Sequence, residues 1–143
     1  MNILVINGPN LNMLGIREPE IYGRASYADL CRMIENHAAK IGVTVTLYQS
    51  NHEGDLVDAI QQAFGKQDGI IINPGAYAHY SIAIRDALAS VDIPKIEVHI
   101  SNVYKREEFR HTSVITPVCT GEILGLGLNG YFLALDAMKK LCK

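Results

Sequence analysis

The chain has 143 residues, of which 48% are apolar and 20% charged, with 13 lysines and arginines against 15 acids. That is the length of one domain (residues 1–143) able to bury a full core, and the composition excludes a disordered chain. A net charge of −2 without a basic run argues against a nucleic-acid partner.

No apolar run reaches the ~18 residues of a membrane span, and Met1-Asn2-Ile3-Leu4-Val5-Ile6 lacks the basic start of a signal peptide. Cys31, Cys119 and Cys142 are an odd set with no CxxC spacing, which reads as reduced thiols in a cytoplasmic protein.

Residues 3–6 form a continuous apolar run, the pattern of a strand covered on both faces. Ser26 with Asp29 gives a capping-box start, and Leu30, Met33, Ile34, His37, Ala38 and Ile41 recur at helical spacing up to Gly42. Residues 43–48 read as the second strand, and Leu56, Ile60, Ala63 and Phe64 as a helix closed by Gly65. Residues 69–72 and 96–100 are the third and fourth strands, separated by a helix over 82–89. Residues 113–116 read as a short fifth strand stopped by Pro117, and a last helix carries Tyr131, Phe132, Leu135, Met138 and Leu141. Strands and helices alternating at this spacing predict an α/β fold. The simplest form is a flavodoxin-like, doubly wound, five-stranded parallel sheet in the order 2-1-3-4-5, with helices on both faces.

Such sheets bind ligands beyond the carboxyl ends of their strands. Strand one runs into Asn7-Gly8-Pro9-Asn10-Leu11-Asn12, strand three into Asn73-Pro74-Gly75, and strand four into His99, Ser101 and Asn102. Each loop alone reads as a turn; together, with an imidazole and a hydroxyl, they favour a site. Residues 15–23 hold Arg17 and Tyr22 between glycines. They read equally as a mobile segment carrying reactive groups or as a solvated connection placed before any helix begins.

Three other patterns are set aside. Gly125-Leu126-Gly127-Leu128-Asn129-Gly130 matches a dinucleotide fingerprint, but no strand-initiated βαβ unit follows, and small residues for close helix packing explain it better. His99 and Ser101, two apart on one strand face, sit about 6.6–7 Å apart, too far for a base and its nucleophile. The histidines at 37, 52, 79, 99 and 111 lack ligand spacing, so neither a metal nor a cofactor is expected. Of these, His37 reads as structural, and His52 and His111 as surface or supporting groups.

With those residues in view, the chain resembles the type II 3-dehydroquinate dehydratases. The resemblance rests on Asn7-Gly8-Pro9-Asn10-Leu11-Asn12, Arg17-Glu18-Pro19, Tyr22-Gly23 and Gln49-Ser50-Asn51-His52-Glu53-Gly54. It continues through Ile72-Asn73-Pro74-Gly75-Ala76-Tyr77, Ile96-Glu97-Val98-His99-Ile100-Ser101-Asn102 and Arg106-Glu107-Glu108-Phe109-Arg110. Departures fall at Ala59, Ala78, Tyr80 and Val114 and remove no catalytic group.

The resemblance implies dehydration of 3-dehydroquinate to 3-dehydroshikimate through an enolate, with no Schiff base. It implies Tyr22 as the proton acceptor, Arg17 as its electrostatic partner, Asn12 at the enolate oxygen through a water, and His99 as general acid oriented by Glu97. The substrate carboxylate would meet Ile100 and Ser101, and its hydroxyls Asn73, His79 and Arg110. Asp86 would reach in from a neighbouring subunit of a dodecamer built from trimers. The remaining alternative is a flavodoxin-like small-molecule binding or signalling module. Asn7 and Asn73 stand where a phospho-receiver needs acids, and the loop after strand one lacks the Ser and Thr of a flavin phosphate site.

Overall fold

The computed structural model describes residues 1–142. In chain order it contains β1 (Asn2–Asn7), α1 (Pro19–Tyr22), α2 (Tyr27–Ile41), β2 (Thr44–Gln49), α3 (Glu53–Gln62), β3 (Gly69–Asn73), α4 (Ile82–Ala89), β4 (Lys95–His99), β5 (Gly121–Leu124) and α5 (Asn129–Leu141). Short 3-10 turns fill several connections. The strands form one parallel sheet in the predicted order, β2-β1-β3-β4-β5. Among the described residues, no helix is long and apolar enough to cross a membrane.

Side chains alternate across the sheet, and this sorts the core into two layers. Ile3, Val5, Ile71 and Val98 pack against Leu30 and Ile34 of α2 and Tyr131, Leu135 and Met138 of α5. Leu4, Ile6, Ile70 and Ile72 pack against Leu56 and Ile60 of α3 and Ile84 and Leu88 of α4. Each buried Ile or Leu contributes roughly 1.5–3 kcal/mol, so β1 and β3, apolar on both faces, anchor the sheet. The capping box of α2 is formed: Ser26 Oγ accepts from Asp29 N–H, and Asp29 Oδ2 accepts from Ser26 N–H. Gly42 ends that helix at φ 73°.

Three local expectations are corrected. Residues 113–116 are not the fifth strand, which lies at Gly121–Leu124. Ser113 Oγ accepts the N–H groups of Ile115 and Thr116, bending the backbone into a turn that competes with ladder pairing, and Pro117 lies within the 3-10 turn Thr116–Val118. Residues 15–23 include the four-residue helix α1, with Pro19 at its first position. The glycine-rich run divides: Gly125 and Gly127 take positive φ in the turn after β5, and only Gly130 shows the predicted close packing. A Cβ on Gly130 would lie 3.2 Å from Val98 Cγ1.

At the carboxyl end of the sheet, Asn7 of β1 stands opposite Asn73 of β3. The next residue, Gly8, donates its N–H to Asn73 O at 2.8 Å, so the two chains leave the sheet in contact. A Cβ on Gly8 would lie 2.6 Å from Pro74 O, a clash with backbone that no rotamer relieves. Gly8→Ala is therefore expected to cost about 1–3 kcal/mol of stability, read from the urea midpoint. An unchanged midpoint would show that the two loops separate without strain.

Candidate active site

Beyond the ends of β1, β3 and β4 lies a cleft where polar and charged side chains from several loops converge. Its lining joins residues far apart in sequence: Asn10, Arg17, Tyr22, Asn73, His79, His99, Ile100, Ser101, Arg106 and Arg110 among them.

On one side stands Tyr22, half-buried at the end of α1. Its Oη accepts a hydrogen bond of 2.6 Å from Arg106 Nη1. The guanidinium carbons of Arg17 and Arg106 lie 5.0 and 5.2 Å from the ring centroid. Arg17, the partner expected from sequence, thus lies over the ring, and Arg106 takes the hydroxyl. Arg106 also donates to Ser101 Oγ at 3.2 Å, tying the Tyr22 segment to the end of β4. The phenol thus lies between two guanidinium groups.

The cleft is also lined by His99, whose Nε2 is 2.8 Å from Glu97 Oε2. A fully buried carboxylate is costly unless donors surround it, and Glu97 has them. Ser113 donates to Oε1 at 2.8 Å, and Thr116 and His99 to Oε2. Burial pushes the Glu97 carboxyl up, but these donors outweigh it and hold Glu97 below the ordinary carboxylate range. Glu122 Oε1 lies 3.9 Å from His99 Nε2, and burial with the adjacent Glu97 raises its carboxyl to about 7. Glu97, His99 and Glu122 bring one donor atom each within 4.8 Å of one another, a grouping with metal-site spacing that the histidine spacing did not reveal. Within the group, Glu97 and His99 are hydrogen-bonded to each other.

Asn73 is fixed from beneath. Its Nδ2 donates to Tyr131 Oη at 3.0 Å, its Oδ1 accepts from Gly75 N–H, and Tyr131 Oη donates to Asn7 Oδ1 at 2.5 Å. Tyr131 is wholly buried, and burial pushes its hydroxyl well above the ordinary tyrosine range, so it remains a donor. His79 Nδ1 donates to Thr112 O at 2.9 Å, which points the tautomer so that Nε2 accepts. Burial lowers the basicity of His79, keeping that neutral form.

Of the residues expected at the site, Arg17, Tyr22, Asn73, His79, His99, Ile100, Ser101 and Arg110 line the cleft. Asn12 does not: it is exposed in the 3-10 turn Leu11–Met13. Asn10 takes the rim position instead, at φ 70°, the left-handed conformation that Asn tolerates better than most residues. Asp86 is also outside this cleft, on the exposed side of α4 with Ile82 and Ala89. Arg106 opens the Arg106–Arg110 block of the resemblance but carried no expected role. Glu122 was hidden by the misplaced fifth strand.

A doubly wound α/β sheet whose strand-end cleft holds both an arginine-bound phenol and a carboxylate-bound imidazole has the form of an enzyme site. The chain belongs to the class II dehydroquinase family, whose model matches residues 1–139. It is 65% identical over 139 residues to the 3-dehydroquinate dehydratase of Lachnoclostridium phytofermentans, covering 96% of each chain. It is 55% identical to that of Clostridium acetobutylicum, covering 99% of this chain and 98% of the other. The crystal structure of the type II dehydroquinase from Butyrivibrio crossotus superposes with a TM-score of 0.96 at 61% identity, covering 97% of both chains.

Tyr131→Phe removes the hydroxyl shared by Asn7 and Asn73 and leaves two buried amides short of a partner. The expected loss is about 1–3 kcal/mol in urea unfolding. Wild-type stability in that variant would show that the amides re-pair without the hydroxyl.

Proposed function

We propose that this chain removes water from 3-dehydroquinate to give 3-dehydroshikimate through an enolate. The observation that carries the reading is the 2.6 Å hydrogen bond from Arg106 to Tyr22 Oη in the cleft that the Glu97-bound His99 also lines. A proton α to a ketone calls for a base stronger than a carboxylate, and tyrosinate is one. Arg106 and Arg17 supply the positive charge that steadies the phenolate and then the enolate.

Asn10, rather than Asn12, holds the water that meets the enolate oxygen; its place on the cleft lining supports this. His99, gripped at Nε2 by Glu97, gives its other ring proton to the departing hydroxyl. Ile100 and Ser101 at the end of β4 receive the substrate carboxylate, and Asn73, His79 and Arg110 its hydroxyl groups. The family membership and the relatives' names support the substrate. The setting is the shikimate route in the cytoplasm, in keeping with three cysteines that remain free thiols.

The assembly is a dodecamer of trimers in which Asp86 serves the neighbouring subunit's cleft. Its position on α4, exposed and away from its own cleft, supports that placement.

The direct test is the ultraviolet absorbance of the conjugated enone formed from authentic 3-dehydroquinate; folded protein that forms none sinks the proposal. Tyr22→Phe is expected to lower kcat at least ~10³-fold with a smaller change in KM, and Arg106→Ala to lower kcat severely as well. Near-normal kcat in the Tyr22 variant would move the base elsewhere. For the assembly, Asp86→Ala and Tyr22→Phe chains are co-expressed. Random cyclic trimers should regain activity in about a quarter of their sites, each pairing an intact Tyr22 with a neighbour's intact Asp86. A mixture no more active than the mean of its parents would refute the shared site.

A further inference from the structure

Glu97 and Glu122 are register partners on the adjacent parallel strands β4 and β5. Two carboxylates so placed repel, and in a largely dry setting one of them keeps a proton. The donors already described commit the charge to Glu97, which leaves the proton with Glu122. The Glu122 side chain is 19% exposed and opens on a second groove, lined also by Tyr104 and Arg110. His99 lines this groove as well as the main cleft, so its ring is flanked by both.

The charged and titratable groups facing Glu122 come from several elements. From β4 come Glu97 and His99, with Lys95 further along, its Nζ tied to Val91 O at 2.6 Å. The groove adds His79 from the turn after β3 and Tyr104 and Arg110 from those after β4, and Thr116 contributes a hydroxyl. Cys119 lies close enough for its thiol to feel Glu97, Lys95 and Glu122. On the α5 side, β5 presents Ile123, which is apolar.

We propose that Glu122 is a positioning residue: it carries the proton of the carboxylate pair and, on releasing it to water in the groove, holds His99 in its charged form by presenting a second carboxylate beside Nε2. The Glu122 proton leaves near pH 7. Below that pH, one negative charge faces the imidazole; above it, two do. The kinetic consequence rests on His99 being the acid of the dehydration.

The test compares wild type with Glu122→Gln, which mimics the protonated side chain at every pH. The His99 ring is followed by NMR without substrate, and kcat is measured across the neutral and alkaline range. Below about pH 7 the two proteins should behave alike. Above it, His99 in Glu122→Gln should lose its ring proton about one pH unit earlier, the size expected when an opposite charge within ~4–6 Å is removed. The alkaline limb of kcat should move with it. An unmoved ring titration overturns the proposal, whether kcat is unchanged or falls uniformly, since a packing role alone gives those results. A ring titration that moves while the kcat limb stays fixed upholds the Glu122–His99 coupling and removes His99 from the role of acid.

Discussion

The cleft depends on how closely β1 and β3 leave the sheet together. Gly8 N–H on Asn73 O brings the two loops into backbone contact, and the Tyr131 hydroxyl, bonded to the amides of Asn7 and Asn73, sets their height from below. A polar network at this depth is tolerated because its bonds are largely made; half-made, it would cost more than an apolar core. From that fixed edge, Asn10 swings to the rim and Asn73 faces inward. The lone glycine at position 8 is what makes the approach sterically possible.

The two halves of the chemistry are assembled differently. The imidazole side is rigid: Glu97 and His99 lie on β4, an interior strand of the sheet, with Ser113 and Thr116 folded over the carboxylate. The phenol side is carried by a four-residue helix outside the sheet, joined to the scaffold through Arg106 and its second bond to Ser101. A single guanidinium therefore bonds the Tyr22 hydroxyl and the end of β4 together, while the Tyr22 ring packs on the core.

What was legible in the sequence follows from how local each signal is. The apolar run of β1, the Ser26–Asp29 cap and the helical stripe of α2 are decided by neighbours in the chain, and the structure keeps them. The fifth strand was misplaced because Ser113 spends its hydroxyl on its own turn, whereas the true strand carries Glu122, a polar residue in a short segment. Asn10 and Asn12 are two apart in one loop, and only the left-handed φ of Asn10 separates the residue at the rim from the one in solvent. Arg106 and Glu122 act on partners at Tyr22 and Glu97, contacts between distant segments that no local pattern records.

The place of β1 in the sheet has a consequence for synthesis. It is the first strand made, yet it lies between β2 and β3, with Ile3 paired to Val45 on one side and Gly69 on the other. While the chain emerges from the ribosome, one backbone edge of this apolar strand can close once residues 44–49 are made. The other stays open until residues 69–73 have been added, and long-range parallel pairing is slow to form. The nascent chain is most exposed to misassociation in that interval. A chaperone that shields the first few residues would therefore protect the whole fold.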